Sequence, residues 1–283
     1  MPNADHRVAL PAGERQYHIG LGPGELAEYI LLPGDPERTA KIARLLDNVE
    51  LERQHREFAS VTGTYRGQRV SIVSTGIGTD NVEIVVAEIL AITLHPTFIR
   101  VGSCGGLQPE MALGDLVIST GAVRLETTTS WYVHDGYPAV ADYEAVLALI
   151  EAAERLGKRY HVGLTATAPG FFGAQGRPIP QLPIRYPDLA DDMARQRVMN
   201  SRWRLQHCSC WRASRAVELG SSARSTRSEP RATSSRGPRR TQRKLPAWRR
   251  GSRASRSLPA STVASRRWRR TTGGRRWASS APE

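Results

Sequence analysis

Cysteine is scarce in this chain: Cys104, Cys208 and Cys210 are the only three in 283 residues, and they form neither an even framework nor a metal-ligand spacing. That excludes a disulfide-stapled secreted fold and a cysteine-based zinc site, and suits a reducing compartment, so the chain reads as cytoplasmic. Long apolar runs are missing too. The longest, near Val82 to Leu94, is interrupted by Glu83 and Glu88 and is too short to span a bilayer, so no membrane partner is expected. Residues 1–16 carry Pro2, Pro11, Gly13 and several charges but no apolar core, which rules out a signal peptide and reads as a loose leader. The sharpest absence lies at the far end. Residues 201–283 contain no Ile, Phe, Met or Tyr, only six Leu and Val, and 16 Ser. Such a segment buries too little apolar surface to offset the entropy of ordering it, so it is expected to be disordered.

Charge divides the chain at the same place. The net +13 is the sum of two unlike parts: residues 201–283 hold 22 Lys+Arg against 3 acids, whereas residues 1–200 hold 18 against 24. The front is a mildly acidic globular sequence. The back is an Arg/Ser-rich polycation, able to bind nucleic acid non-specifically through charge and five Trp.

The front alternates strands and helices. A short apolar strand, Tyr29 to Leu32, enters the turn Pro33–Arg38, and helical periodicity follows from Thr39 to Leu46. Arg56–Phe58 opens a strand to about Tyr65, and Gly67-Gln68 turns it into a hairpin with Arg69–Ser74. A helix spans Asn81–Leu94, strands cover Thr97–Val101 and Asp115–Thr120, and Asp142–Leu156 is a strongly periodic helix stopped by Gly157. A strand at Tyr160–Ala166, the loop Phe171–Arg177 and a helix over Asp188–Val198 complete the pattern, which predicts an α/β sheet covered by helices.

The chemistry gathers around Phe98–Gly106. A buried strand there runs into Gly102, Ser103, Gly105 and Gly106, with Arg100 where it ends. A glycine-rich turn at the carboxyl end of a parallel strand lets backbone N–H groups approach an anion, and an arginine adds a bidentate grip. The same stretch also reads as an ordinary turn with Arg100 in solvent. Arg38 stands in a first helical turn, where a cation opposes the helix dipole, and this favours a facing anion over a helix-stabilising role.

Taken in order, the motifs Gly34-Asp35-Pro36-x-Arg38, His55-Arg56-Glu57-Phe58, Ser74-Thr75-Gly76-Ile77-Gly78 and Arg100-x-Gly102-x-x-Gly105 resemble the nucleoside phosphorylase family, nearest to its uridine-specific branch. The similarity runs from about Tyr17 to Asn200. It implies a three-layer α/β/α domain over residues 17–200, with a central mixed sheet truncated at its C-terminal part. It implies phosphorolysis of uridine by inorganic phosphate, giving uracil and ribose 1-phosphate, with no cofactor. By the same resemblance, Gly34, Arg38, Arg100 and Ser103 bind phosphate, and Arg56 is lent to that phosphate by a neighbouring subunit of a homo-oligomer. His18 reaches the ribose 5′-hydroxyl across the same contact. Phe171 lines the base pocket, Gln175 and Arg177 read the uracil edge, and Glu57 matches a carboxylate at a dimer-interface potassium site of some members. A purine nucleoside phosphorylase is the nearest alternative, and a non-catalytic chain with a nucleic-acid-binding tail is another.

The resemblance breaks after Val198-Met199-Asn200. The family continues with an aromatic and Glu-Met-Glu, whose Met-Glu pair holds the ribose hydroxyls; this chain continues Ser201-Arg202-Trp203-Arg204. Codons TCG-AGA-TGG-AGG for those four residues, read from the third base, encode Glu-Met-Glu. Leu205–Trp211 has permitted codons that then encode Ala-Ser-Thr-Leu-Leu-Val-Leu. Residues 201–283 therefore read as a frameshift product, and activity in this copy is expected to be impaired.

Overall fold

A single mixed sheet carries the molecule, and the parity of its strands decides what lies on each face. The computed structural model describes residues 14–202 and 215–223. Its strands are β1 (Tyr29–Pro33), β2 (Asn48–His55), β3 (Phe58–Tyr65), β4 (Gln68–Val73), β5 (Thr97–Gly106), β6 (Leu116–Arg124), β7 (Ala139–Val140), β8 (Tyr160–Thr167), β9 (Asn200–Arg202) and β10 (Arg215–Ala223). The helices are α1 (Pro36–Ala43), α2 (Thr79–Ile92), α3 (Tyr143–Arg155) and α4 (Leu189–Arg195). The order across the sheet is β10-β6-β8-β9-β5-β1-β4-β3-β2, and β10 also pairs with β5. The strands β5, β9, β8, β6 and β10 therefore close into a ring, while β1, β4, β3 and β2 extend from it as an open wing.

Neighbouring side chains of β5 point to opposite faces, and the core follows. Phe98 packs with Val82, Val85, Val86 and Ile89 of α2, together with Ile30, Leu32, Phe58 and Val73. Ile99 instead joins Ile118, Val146 and Ala153 on the side of α3. The sheet is thus sandwiched between helices, the α/β architecture expected from the alternation of elements. The helices start for local reasons. Asp35 caps α1 by accepting from Glu37 N, with Pro36 at the first helical position, and Asp142 caps α3 by accepting from Ala145 N.

Four features differ from expectation. β2 lay outside the predicted strands: it is an edge strand exposed along most of its length, so it shows no apolar face to read. Gly102–Gly106 is not a turn but the continuation of β5, because it pairs with β10 on one side and at Gly105–Gly106 with β9 on the other. The segment 201–283 is not without structure: Ser201 and Arg202 belong to β9, and Arg215–Ala223 forms β10, with Glu218 in register opposite both Arg100 and Ser119. The open edges of β5 and β6 offer unpaired backbone groups, and a strand satisfies them whatever its composition. The rest of that segment, 203–214 and 224–283, lies outside the described residues. Finally, residues 14–16 of the expected leader belong to the fold. Arg15 donates to Glu25 through both terminal nitrogens, at 2.9 and 2.7 Å, and Gln16 is buried.

Candidate active site

Parallel register brings the ends of several strands to one rim. β1 lies between β5 and β4, with Leu32 opposite Arg100, Pro33 opposite Val101 and Leu31 opposite Ile72. β3 runs antiparallel to β4, so its beginning meets the end of β4, Ser60 opposite Val73. That rim therefore collects Gly34 and the first turn of α1 after β1, Ser74–Gly78 after β4, the Arg56–Glu57 turn before β3, and the second half of β5. Backbone bonds fix the arrangement: Thr75 N donates to Pro33 O at 2.8 Å, and Ser74 N to Ala59 O at 2.8 Å. Ligands of parallel sheets bind outside such carboxyl ends.

Arg100 is buried, and its Nη1 donates to Leu32 O and Val101 O, each at 2.7 Å. The guanidinium is held by the backbone of the neighbouring strand rather than lying in solvent. Arg38 is half-buried in the first turn of α1, with its N–H on Asp35 O at 3.0 Å, and Gly34 is buried directly after β1. Ser103 is not brought to Arg100. The register with β10 is continuous from Thr97 to Gly105, and burial alternates along it: Arg100, Gly102 and Cys104 are covered while Ser103 is exposed. In a turn Ser103 could fold back; in a strand, parity puts it on the other face.

A second group forms an exposed patch. The Arg56 guanidinium lies 4.5 Å from the centre of the Tyr17 ring, and that ring meets His18 edge-on at 4.9 Å and 83°. His18 Nδ1 is 2.6 Å from Glu88 Oε1 of α2. Arg56 has φ 52°, a left-handed backbone rare outside glycine, and Gln54 Nε2 donates to its carbonyl at 2.8 Å. The two residues that the resemblance assigns to a neighbour's site are thus joined through Tyr17. Sequence reasoning gave Tyr17 and Glu88 no role; the available signal was a carboxylate, Glu88, set among Val85, Val86, Ile89 and Leu90 of α2.

Glu57 is exposed beside Gly76, whose φ of +66° favours glycine. A cation with several oxygen ligands needs more than Glu57. Among the described residues no group of three His, Cys, Asp or Glu is placed to hold a metal, and the chemistry below runs through none.

The base loop leaves β8 near the same end of β5. β9 bridges the two strands, with Thr165 opposite Asn200 and Asn200 opposite Gly106. In the loop, Gln175 Nε2 donates to Phe171 O at 2.7 Å, the Arg177 guanidinium lies 5.3 Å from the Phe171 ring centre, and Arg177 N donates to Phe172 O at 3.0 Å. Phe171, Gln175 and Arg177 are therefore together. Gly176 between them has φ +64°, and a Cβ there would stand 2.3 Å from Pro187 O.

Two titrating groups brace the surroundings. Hydrogen bonds from Ala112 N, first, and from His161 hold the Asp115 carboxyl below its ordinary value; His161 Nε2 is 2.8 Å away, tying the start of β8 to that of β6. Partial burial, and then the Glu83 carboxylate to which it donates, push the Tyr132 hydroxyl up to about 12. That contact, with Thr128 Oγ1 on Thr79 Oγ1 at 2.8 Å, pins the loop after β6 to the start of α2.

The chain is similar to known proteins over most of this region. The chain is 50% identical over 187 residues to a uridine phosphorylase of Thermococcus kodakarensis, covering 65% of this chain and 67% of that protein. It is 40% identical over 158 residues to a uridine phosphorylase of Treponema pallidum, covering 56% of this chain and 61% of the relative. A guanosine phosphorylase of Halorubrum lacusprofundi is also 40% identical over 158 residues, covering 56% and 65%. The chain thus matches about two thirds of the length of these relatives. No helix among the described residues is long and apolar enough to cross a membrane. A family signature described as Phosphorylase superfamily matches residues 28–203, and with these relatives it shows that the chain belongs to that superfamily, the family of the nucleoside phosphorylases.

Proposed function

We propose that this chain is built for phosphorolysis of uridine, with inorganic phosphate attacking C1′ of the ribose and uracil leaving as an anion. The observation that supports the reading is the register of β1 and β5, Leu32 opposite Arg100, which starts Gly34 and the first turn of α1 from the strand beside Arg100. The sugar passes through an oxocarbenium-like state, so the protein needs no nucleophile and no cofactor. Its work is to position a phosphate dianion and stabilise charge. Arg38 and Arg100 supply fixed positive charge, and Arg56 is exposed and His18 half-buried beside it at the surface, as residues lent to a second copy would be, which fits a homo-oligomer. Ser103, on the other face of β5, takes no part in this reading.

At the base, the Gln175 amide is tied through Nε2 to Phe171 O, which leaves its oxygen to accept from the uracil ring N–H, while Arg177 donates to a ring carbonyl. A second reading, a purine nucleoside, is favoured by the guanosine phosphorylase among the relatives. Mixing the full chain with phosphate and either uridine or guanosine separates the two. Uracil release that requires phosphate and outpaces guanine release is the expected result; faster guanine release would overturn the uridine reading.

The sugar side is where we expect weakness. The family's Met-Glu pair is absent after Asn200, and losing a carboxylate from the ribose hydroxyls costs roughly 2–5 kcal/mol of binding for a buried charged pair. Turnover by the chain in this sequence is accordingly expected to be slow.

A further inference from the structure

Among the described residues Glu88 is the one carboxylate in the apolar core of the wing, and its four hydrogen bonds go to a single short segment. It is 2% exposed on α2, beside Val85, Val86 and Ile89, each fully buried. His18 N donates to its two oxygens at 3.0 and 3.1 Å, Ile19 N to Oε2 at 2.8 Å, and His18 Nδ1 lies 2.6 Å from Oε1. The rest of the segment is clamped independently: Arg15 and Arg53 both donate to Gly20 O, at 2.6 and 2.5 Å, and His55 Nδ1 is 2.8 Å from His18 O. Anchoring the backbone of residues 18 and 19 accounts for the N–H bonds. It does not account for the bond to the imidazole, the shortest of the four.

That bond has a chemical consequence. An ionised carboxylate only accepts hydrogen bonds, so the nitrogen facing it carries a proton. In the neutral ring the lone pair then sits on Nε2, and the partner of one imidazole nitrogen sets the tautomer of the other. The ring is held on a second side by Tyr17, edge-on at 4.9 Å, yet the His18 side chain stays 35% exposed against 3% for Glu88. We propose that Glu88 is a positioning residue: it locks His18 in the Nδ1–H form so that Nε2 presents an acceptor to the sugar hydroxyl of a nucleoside held by a second copy of the chain. The role at the sugar rests on the uridine reading above; the tautomer lock does not.

The test uses the full-length chain labelled with 15N-histidine, under alkaline conditions where imidazoles are neutral. Long-range proton–nitrogen spectra report which ring nitrogen is protonated, and the resonance missing from His18→Asn identifies residue 18. The expected spectrum has His18 in the Nδ1–H form, retained in Glu88→Asp and shifted toward Nε2–H in Glu88→Gln, whose amide NH2 donates where the carboxylate accepted. A wild-type His18 in the Nε2–H form overturns the proposal, and that result decides even where Glu88→Gln fails to fold. In turnover, Glu88→Gln is expected to lower kcat/KM for uridine about five- to tenfold, one hydrogen bond's worth, and to leave a nucleoside lacking the 5′-hydroxyl unchanged. An equal loss on both substrates contradicts the role at the sugar. Uracil release with the wrong tautomer sinks this inference alone; the right tautomer with guanine released faster than uracil sinks the uridine reading alone.

Discussion

The rim proposed to hold phosphate and the loop proposed to hold the base are held by different physics. At the rim, positions follow from strand register: Arg100 is buried, and its guanidinium is bonded to backbone carbonyls of β1 and β5. The loop 171–177 is held by local bonds from Gln175, Gly176 and Arg177 to Phe172, Gly173 and Phe171, and by one left-handed glycine. A geometry fixed by a ladder tolerates changes outside it. A geometry fixed by a few residues of loop depends on each of them. The relatives' names fit this contrast, since uridine and guanosine phosphorylases share the phosphate chemistry and differ at the base.

The largest expected effect lies beyond both regions. The DNA around codon 201, read in the shifted frame, should encode Glu-Met-Glu, and a chain repaired to that frame should gain at least about 30-fold in kcat/KM for uridine, the low end of a restored buried charge pair. A gene without Glu-Met-Glu in any frame there removes the frameshift explanation. Gly176→Ala attacks the loop alone. Its Cβ meets Pro187 O, so the loop must shift; KM for uridine should rise about tenfold while the affinity for phosphate stays, and a parallel loss of phosphate affinity would show that the two regions are not separable.

Asp115→Asn weakens the footing of β8, which carries the loop. Because the folded carboxyl titrates below its ordinary value of 3.8, its stabilisation is full above that value and is lost as pH falls through the folded one. Melting temperatures of wild type and variant should therefore differ near neutrality and converge in acid; a constant gap contradicts this. The smallest effect is Arg56→Gly. Glycine relieves the left-handed backbone, so thermal stability should hold or rise by up to about 1 kcal/mol while phosphorolysis falls. Lost stability with full activity would leave Arg56 a structural turn residue.

Much of the rim was legible in the sequence because its signals are local: glycine and proline after an apolar strand, arginine in a first helical turn, and helix starts within a few residues of α1, α2 and α3. The continuation of β5 was not, since Gly102, Gly105 and Gly106 carry no strand signal and are extended only by pairing with β9 and β10. β10 was hidden for the same reason, its place being set by two open edges rather than by its composition. Glu88 was hidden because its partners lie 69 and 70 residues away in the chain.

Calorimetric titration of the full chain with inorganic phosphate tests the central claim most directly, since it needs neither the sugar residues nor turnover. Phosphate should bind, and Arg38→Met and Arg100→Met should each weaken that binding by at least about tenfold, as loss of a charge-assisted hydrogen bond requires. Folded variants that bind phosphate as tightly as the parent chain would contradict the account.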